Sequence, residues 1–236
     1  MQEAIAQFER DGVVVLRDVL QPEHLAPLRE YVTARMQTAG QTETGYDLQA
    51  VARQVFDKRD KIEAGEASRF ELDGLVGLIT QDPEAKPLIE DGADKLEGGA
   101  FFYEAGCWRS SDAIQNLALK GGLPVIMAQL IGAETLRFFE DTIFARGPKT
   151  PCRTAWHQDL DYFKVGLEGR KIIVWIPLDP CTHETGGTQY IRGSHKWGKT
   201  YASNVFFADT PISGSDQPRM PKLMGMKAIM TLSLLK

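Results

Sequence analysis

The stretch TAWHQDLDY, residues 154–162, decides which fold and chemistry this chain is expected to have. It has the pattern of a strand end and carries a histidine, His157, two positions before an aspartate, Asp159. Side chains alternate between the two faces of an extended chain, so residues i and i+2 point the same way. His157 and Asp159 are therefore predicted to project together, with Gln158 on the opposite side.

An imidazole and a carboxylate that point the same way can bind one metal ion. A His-x-Asp pair supplies two ligands of the 2-His-1-carboxylate triad, which leaves positions open on Fe(II) for other molecules. The spacing alone is common, and its structural alternative is a histidine hydrogen-bonded to a nearby aspartate. His157 and Asp159 are thus candidate metal ligands and catalytic residues.

The region around this stretch is rich in short β-prone runs separated by turns, at 136–145, 171–176 and 187–191. The first half is different. Its patterns predict a helix around residues 5–9, a buried strand at 13–16, a helix that begins at Gln21-Pro22, a loop at 38–48, and helices near 48–63 and 112–130, with irregular chain at 82–99. Helices first and strands later are typical of an α+β arrangement, with helices outside an antiparallel sandwich or barrel.

Composition limits the class of protein. The 236 residues are 43% hydrophobic and 25% charged with a net charge of −5, as expected for one globular domain rather than a disordered or fibrous chain. An apolar run long enough for a membrane helix and a signal-peptide pattern are both missing from the sequence. Three cysteines are too few for a disulfide framework. We expect a cytoplasmic protein that binds neither nucleic acid nor membrane.

Several short motifs make the sequence similar to one enzyme family. Together they resemble, in order and separation, the phytanoyl-CoA dioxygenase family of Fe(II)- and 2-oxoglutarate-dependent oxygenases. The resemblance runs from about residue 8 to 222 and is strongest from 138 to 198. The motifs are FERDGVVVL (8–16), WHQD (156–159) with Tyr162, VWIPLD (174–179), GGTQ (186–189) and IRGSHK (191–196).

The resemblance implies a double-stranded β-helix, or jelly roll, braced by helices. It implies Fe(II) as cofactor, with 2-oxoglutarate and O₂ as cosubstrates for hydroxylation of a small molecule. His157 and Asp159 match the first two iron ligands, and Trp175 matches an aromatic position that lines the 2-oxoglutarate pocket. Trp175 is equally well explained as a core residue. Relatives place cosubstrate contacts on the preceding strand, where Thr142 and Phe144 share a face with Glu140.

The end of the chain departs from the family pattern. In relatives a distal iron histidine and an arginine that binds 2-oxoglutarate come after the position of Leu223, and neither follows it here. His195 is expected to order a loop or approach the cosubstrate rather than bind iron, and His183 to lie in a solvated turn. We therefore expect one domain, 1–236, truncated after about residue 223, with a frame shift as one explanation, and weak metal binding with little turnover.

Two other functions stay open. One is a catalytically silent relative that serves as a binding or structural protein, and the other is a metal-dependent, cupin-type isomerase that needs no 2-oxoglutarate. A local excess of basic residues is compatible with an anionic substrate, although exposed basic side chains are usually only solvated. The candidates are Arg146, Lys149, Arg153, Lys164 and Arg170. The oligomeric state is not indicated by the sequence.

Overall fold

The structure is a computed structural model that describes residues 1–38, 45–47, 99–150, 154–163, 169–204, 216–221, 223 and 228–230. The helix expected near 48–63, the irregular stretch expected from 82 to 98, and Cys152, Arg153 and Lys164 lie outside these residues. Cys107 and Cys181 are both buried free thiols.

Two helices open the chain, as the sequence predicts. Helix α1 spans Gln2–Asp11 and ends at Gly12, which has a left-handed φ of 78°. Helix α2 spans Pro22–Gln37, with the proline in its first turn and the Gln21 N–H donating to His24 Nδ1 at 3.2 Å. Its inner face buries Leu25 and Leu28.

The strand predicted at residues 13–16 is wrong. These residues are half-buried and irregular. A run of β-branched residues indicates a side-chain surface that suits a sheet, but a strand also needs a neighbour whose backbone pairs with it. Residues 45–47, predicted as part of a loop, form strand β1, Gly45–Asp47, instead.

The larger sheet has three antiparallel strands in the order β1-β2-β3. Strand β2, Phe101–Ala105, is central, and β3 is Thr142–Arg146. The register pairs Tyr103 with Phe144 and Phe101 with Arg146. Strand β3 is shorter than the run predicted at 136–145, because residues 136–141 are not part of a sheet.

The ion pair between Arg35 and Glu104 fastens α2 to this sheet. The Glu104 side chain is buried and accepts from Arg35 Nε at 2.8 Å and from Arg35 Nη2. A bidentate guanidinium–carboxylate pair is among the stronger polar contacts in proteins, and it neutralises a carboxylate that could not be buried alone. Helix α2 therefore packs on the sheet through both apolar and ionic contacts.

A broken helical stretch precedes β3, as predicted from its glycines. It consists of α3 (Asp112–Gln115), a π-helical turn (Asn116–Lys120) and α4 (Leu123–Ile131). By length and composition alone, Asp112–Ile131 is long and apolar enough to cross a membrane, which is weak evidence for a membrane segment. Met127, Leu130 and Ile131 of α4 are buried, but only 17% of the candidate membrane window is buried.

The described residues after β3 are mostly irregular and include a small second sheet. Helix α5 spans Asp159–Phe163, and strands β4 (Gln189–Ile191) and β5 (Ala228–Met230) pair antiparallel. The strand predicted at 171–176 is wrong, since these residues are irregular, and only the end of the run at 187–191 is a strand. The mixture of helices and antiparallel sheets confirms the α+β class. Within the described residues, the two sheets do not amount to a jelly roll.

Candidate metal site

His157 and Asp159 meet at the junction between an irregular segment and helix α5. His157 Nε2 lies 3.2 Å from Asp159 Oδ1, so the two side chains point to a common place. The reason differs from the one the sequence suggested. Residues 154–158 are not a strand, and Asp159 is already the first residue of α5. The pair converges because the chain turns into a helix there, not because a strand alternates.

The backbone selects the state of the His157 ring. Nδ1 lies 2.7 Å from the Ala155 carbonyl oxygen, to which a protonated Nδ1 donates. Burial alone would lower the pKa of the imidazole. The hydrogen bonds that the protonated ring donates to the Asp159 carboxylate and to the Ala155 carbonyl, together with the Asp159 charge, raise the pKa above its usual value. With Nδ1–H fixed on the carbonyl, Nε2 is the nitrogen that faces the carboxylate.

This arrangement fits a metal ion. Histidine ligands of metals typically donate their other ring N–H to a carbonyl or carboxylate, as His157 does to Ala155. Two neighbouring ligands at about 2.1 Å from one ion lie about 3 Å apart, close to the separation of Nε2 and Oδ1. Among the residues that the structure describes, however, no group of three His, Cys, Asp or Glu side chains could hold a metal ion.

A cavity of about 80 Å³ opens beside His157. Strand β4 and the turn that follows it contribute much of the wall, and Trp156 and Gln158 flank the histidine. Burial, with a further contribution from the Asp159 charge, raises the pKa of Tyr190. This phenol of the cavity wall therefore interacts electrostatically with the Asp159 carboxylate. The described lining is Trp156, His157, Gln158, Gln189, Tyr190, Ile191, Ser194, Trp197, Met220 and Leu223.

The segment that carries His157 and Asp159 is held by hydrogen bonds to residues 199–204, a set of contacts that we call the clamp. Gln158 Nε2 donates to the Lys199 carbonyl at 3.2 Å, and its Oε1 accepts the Tyr201 N–H at 2.9 Å. Asp161 Oδ2 accepts both the backbone N–H and the hydroxyl of Ser203, each at 2.7 Å. The start of helix α5 with the residue before it, and an irregular segment about 40 residues later, are thus joined by side-chain hydrogen bonds.

Tyr162 and Asn204 complete the clamp next to the histidine. The Tyr162 ring meets the His157 ring edge-on, with centroids 5.4 Å apart. Its hydroxyl lies 2.9 Å from Asn204 Oδ1, contacts the Asn204 carbonyl oxygen, and accepts the Asn204 N–H at 3.1 Å. Burial raises the pKa of the Tyr162 phenol. Asn204 Nδ2 donates to the Trp156 carbonyl at 2.7 Å.

The residues predicted to contact the cosubstrate lie elsewhere. Trp175 is half-buried in irregular chain, and it is absent from the described lining of the cavity. Thr142 and Phe144 are on β3, where Phe144 is 46% exposed and packs against Tyr103 with ring centroids 5.4 Å apart. Glu140 precedes β3 and is exposed. Their predicted role in binding 2-oxoglutarate stays a prediction.

His195 holds the N-terminal helix. Its Nε2 lies 3.1 Å from the Glu9 carbonyl oxygen, and its ring covers Gly12 so closely that a Cβ there would be 2.2 Å from Nδ1. Arg192 Nη1 and Arg10 Nη2 each donate to buried Asp11 Oδ2 at 2.8 Å. His195 therefore orders a loop, one of the two roles expected of it. His183 lies in an exposed turn.

The three described members of the basic set, Arg146, Lys149 and Arg170, do not gather at the cavity. Arg146 stacks over the Phe101 ring at 4.0 Å and donates to Thr154, and Arg170 donates to the Ile131 carbonyl at 2.8 Å. Lys149 is exposed in a turn with φ of 60°. Of the described residues in this set, none is part of the cavity wall.

Sequence reasoning missed the clamp residues Gln158, Ser203 and Asn204. Their contacts span some 40 residues and join segments without a periodic pattern. The available signal was the polar pair Ser203-Asn204 directly after apolar Ala202, since polar residues inside an apolar context tend to be buried with partners. That signal does not identify the partner.

Comparison with known proteins completes the description of the site. No solved structure matches this chain. The family of phytanoyl-CoA dioxygenase (PhyH) matches over residues 8–224. This range contains the His157–Asp159 pair, the cavity wall and the clamp, and it confirms the resemblance noted in the sequence. Since the match covers most of the 236 residues, the chain belongs to the phytanoyl-CoA dioxygenase family.

Proposed function

We propose that this protein is an Fe(II)- and 2-oxoglutarate-dependent oxygenase that hydroxylates a small molecule, with His157 and Asp159 as metal ligands. The family implies an oxygenase, and one observation carries the assignment to these residues. The His157 and Asp159 side chains converge within 3.2 Å, and His157 belongs to a cavity wall. Bound together, Fe(II) and 2-oxoglutarate supply the chemistry that activates O₂ to oxidise a C–H bond.

The residues of this chain have defined tasks in the proposal. The Ala155 carbonyl keeps the proton on Nδ1 and leaves Nε2 to bind the metal. Asp159 adds a negative ligand, which favours a divalent cation. The walls around the site exclude water from the reaction and confine the oxidant. We further propose that the two antiparallel sheets belong to a jelly roll in one domain, as the single family match suggests.

The residues of the cavity wall favour a substrate whose reacting part is uncharged. Trp156, Trp197 and Leu223 offer apolar surface, and Gln189 and Ser194 offer neutral hydrogen-bonding groups. Apolar walls with a few polar groups are usual for small-molecule sites. We therefore place the anionic group expected from the sequence, if the substrate has one, away from the described wall.

The proposed function is tested by anaerobic titration with Fe(II) and 2-oxoglutarate, followed by admission of O₂ and measurement of succinate. The wild-type chain should bind Fe(II), and His157→Ala and Asp159→Ala should each abolish binding. His183→Ala, at an exposed histidine, is the matched control and should bind like wild type. Fe(II) binding that survives both substitutions at the pair would overturn the assignment.

A second function is favoured by the ligand count. The described residues supply two ligands of the triad, and a two-ligand site binds metal weakly. The alternative is a relative of the oxygenases that binds a small molecule in the same cavity without turnover. Fe(II) content after reconstitution separates the two: the oxygenase retains stoichiometric iron and forms succinate, whereas the silent relative does neither.

A further inference from the structure

Asn204 is a buried side chain that contacts two neighbours of His157, the Trp156 carbonyl and the Tyr162 hydroxyl. Its exposure is 2%, and its carboxamide uses both ends. Nδ2 donates at 2.7 Å to the carbonyl of Trp156, the residue before His157. Oδ1 lies 2.9 Å from the hydroxyl of Tyr162, whose ring packs edge-on against the His157 ring.

These two contacts restrict the imidazole from two directions. The Trp156 carbonyl belongs to the peptide that enters His157, so holding it sets the direction in which the histidine side chain leaves the backbone. The Tyr162 ring limits rotation of the imidazole about its own bonds. Buried polar groups with both ends satisfied are rigid, because losing either bond leaves an unpaired group away from water.

We propose that Asn204 is a positioning residue of the metal site, whose carboxamide ties Trp156 to Tyr162 and thereby aims His157 Nε2 at the position shared with Asp159. The inference rests on the proposed function in that it takes His157 as the ligand. It assigns Asn204 no contact with metal or substrate. Outer partners of this kind commonly change metal affinity by about 10- to 100-fold when removed.

Two substitutions separate the two ends of the carboxamide. Asn204→Ala removes both contacts. Asn204→Asp keeps an acceptor for Tyr162 and replaces the donor that faces the Trp156 carbonyl. Ser203→Ala is the matched control, because Ser203 is the adjacent residue, is also buried, and donates its hydroxyl to Asp161 rather than to the groups around His157.

The first measurement uses the metal-free protein labelled with ¹⁵N-histidine. The chain has four histidines, so the His157 ring nitrogens can be assigned by comparison with His157→Ala. At a pH above the raised pKa of His157, where the ring is neutral, wild type and Ser203→Ala should show protonated Nδ1 as the dominant tautomer, as the bond to Ala155 requires. Asn204→Ala and Asn204→Asp should show a mixture of tautomers.

The second measurement is Co(II) affinity, with Co(II) as a spectroscopic substitute for Fe(II). We expect a loss of about 10- to 100-fold for both Asn204 variants and a change within about twofold for Ser203→Ala. Urea unfolding of the same samples shows whether the variants are folded. If Asn204→Ala is not folded, Tyr162→Phe takes its place, because it keeps the ring and removes only the hydroxyl.

The outcomes separate the two proposals. Folded Asn204 variants with a wild-type tautomer overturn the positioning role, as does an equal loss of Co(II) affinity in Ser203→Ala. A wild-type chain that binds neither Co(II) nor Fe(II) overturns the proposed function, while the tautomer measurement still decides the role of Asn204.

Discussion

The α2–sheet region and the metal-site region are held together in different ways. In the first, regular elements bury apolar side chains such as Leu28 and Phe102, and the ion pair of Arg35 with the buried Glu104 carboxylate fastens the helix. In the second, the segment at 154–158 and its partner at 199–203 are largely irregular, and side-chain hydrogen bonds join them. The geometry of the site thus depends on individual polar groups, whereas the stability of the α2–sheet region depends mainly on the apolar surface that it buries.

This difference predicts where single substitutions do most damage. A buried charge that loses its partner costs more than a neutral group that loses one hydrogen bond. In the α2–sheet region, substitution of a member of the Arg35–Glu104 ion pair is therefore expected to cause the largest loss of stability. Substitutions in the clamp are expected to cost less stability each and to change the geometry of the site more than the stability of the whole chain.

The largest effect is expected from Arg35→Met, which leaves the Glu104 carboxylate buried without its guanidinium partner. Breaking a buried ion pair from one side typically costs about 3–5 kcal/mol of unfolding free energy. Urea unfolding measures the loss. Adding Glu104→Leu in the same chain should recover much of it, because the second charge is then removed as well.

Arg29→Met is the control for this prediction. Arg29 lies 3.7 Å from Asp179, whose side chain is 87% exposed, and it also donates an exposed hydrogen bond to the Leu178 carbonyl. Exposed ion pairs typically contribute under about 1 kcal/mol. Equal losses for Arg29→Met and Arg35→Met would contradict the contrast between buried and exposed pairs.

Within the clamp, Asp161→Ala should destabilise the protein by about 1–3 kcal/mol, since the buried Ser203 N–H and hydroxyl lose their common acceptor. Asp161→Asn keeps an oxygen in place and should cost less. Urea unfolding of the two variants measures the difference. Equal stability of the two would show that the oxygen of residue 161 does not hold residue 203.

The sequence predicted the regular half of the molecule better than the site. Helices α1 and α2, and the break at Gly121 within the 112–131 stretch, follow from local periodicity and glycine or proline positions. The strands at 13–16 and 171–176 were wrong, because pairing depends on a neighbour that the local pattern does not contain.

For the site, spacing and resemblance were enough to select His157 and Asp159, which do converge. They were not enough to explain why. The convergence comes from the turn into α5 and from the long-range clamp through Asn204, and neither leaves a periodic signal in the sequence. The role predicted for Trp175 came from the family resemblance alone, and the roles predicted for Thr142 and Phe144 depended in addition on the register of their strand.

A smaller effect, which disappears in acid, is expected at Asp11. Hydrogen bonds from Arg10, together with the charges of Arg10 and Arg192, lower the pKa of this carboxyl despite the opposing effect of desolvation. Because the folded pKa is depressed, its contribution to stability is present above the ordinary value of about 3.9 and is lost as pH falls toward the folded pKa. Asp11→Asn should therefore be less stable than wild type at neutral pH.

The difference in stability between wild type and Asp11→Asn should disappear in acid. Thermal unfolding of wild type and Asp11→Asn between about pH 5 and pH 2 measures it. A difference in stability that stays constant across this range would show that the charge of Asp11 is not what holds α1.

The smallest expected effect is a gain in stability, at Asp141. Asp141 Oδ2 is buried without a hydrogen-bond partner, while Oδ1 accepts the Trp108 N–H at 3.0 Å. Desolvation raises the pKa of this carboxyl, so its ionisation destabilises the folded state as pH rises above the ordinary value. Asp141→Asn should add up to about 1 kcal/mol at neutral pH.

The same variant should lose this advantage in acid, where wild-type Asp141 is itself protonated. Chemical unfolding at neutral pH and at about pH 3 tests the sign. A variant that is less stable than wild type at neutral pH would show that the charge is needed where it lies.

The attachment of the N-terminal helix has a consequence for synthesis on the ribosome. Asp11 is held by Arg192, 181 residues further along, and Glu9 by His195. Helix α1 can pack on α4 earlier, because α4 is also one of its neighbours, but the contacts of Asp11 and Glu9 have to wait until residues 192 and 195 have been translated. Contacts this distant form late and slow folding. During that interval, nascent-chain chaperones have access to a surface that the finished protein covers.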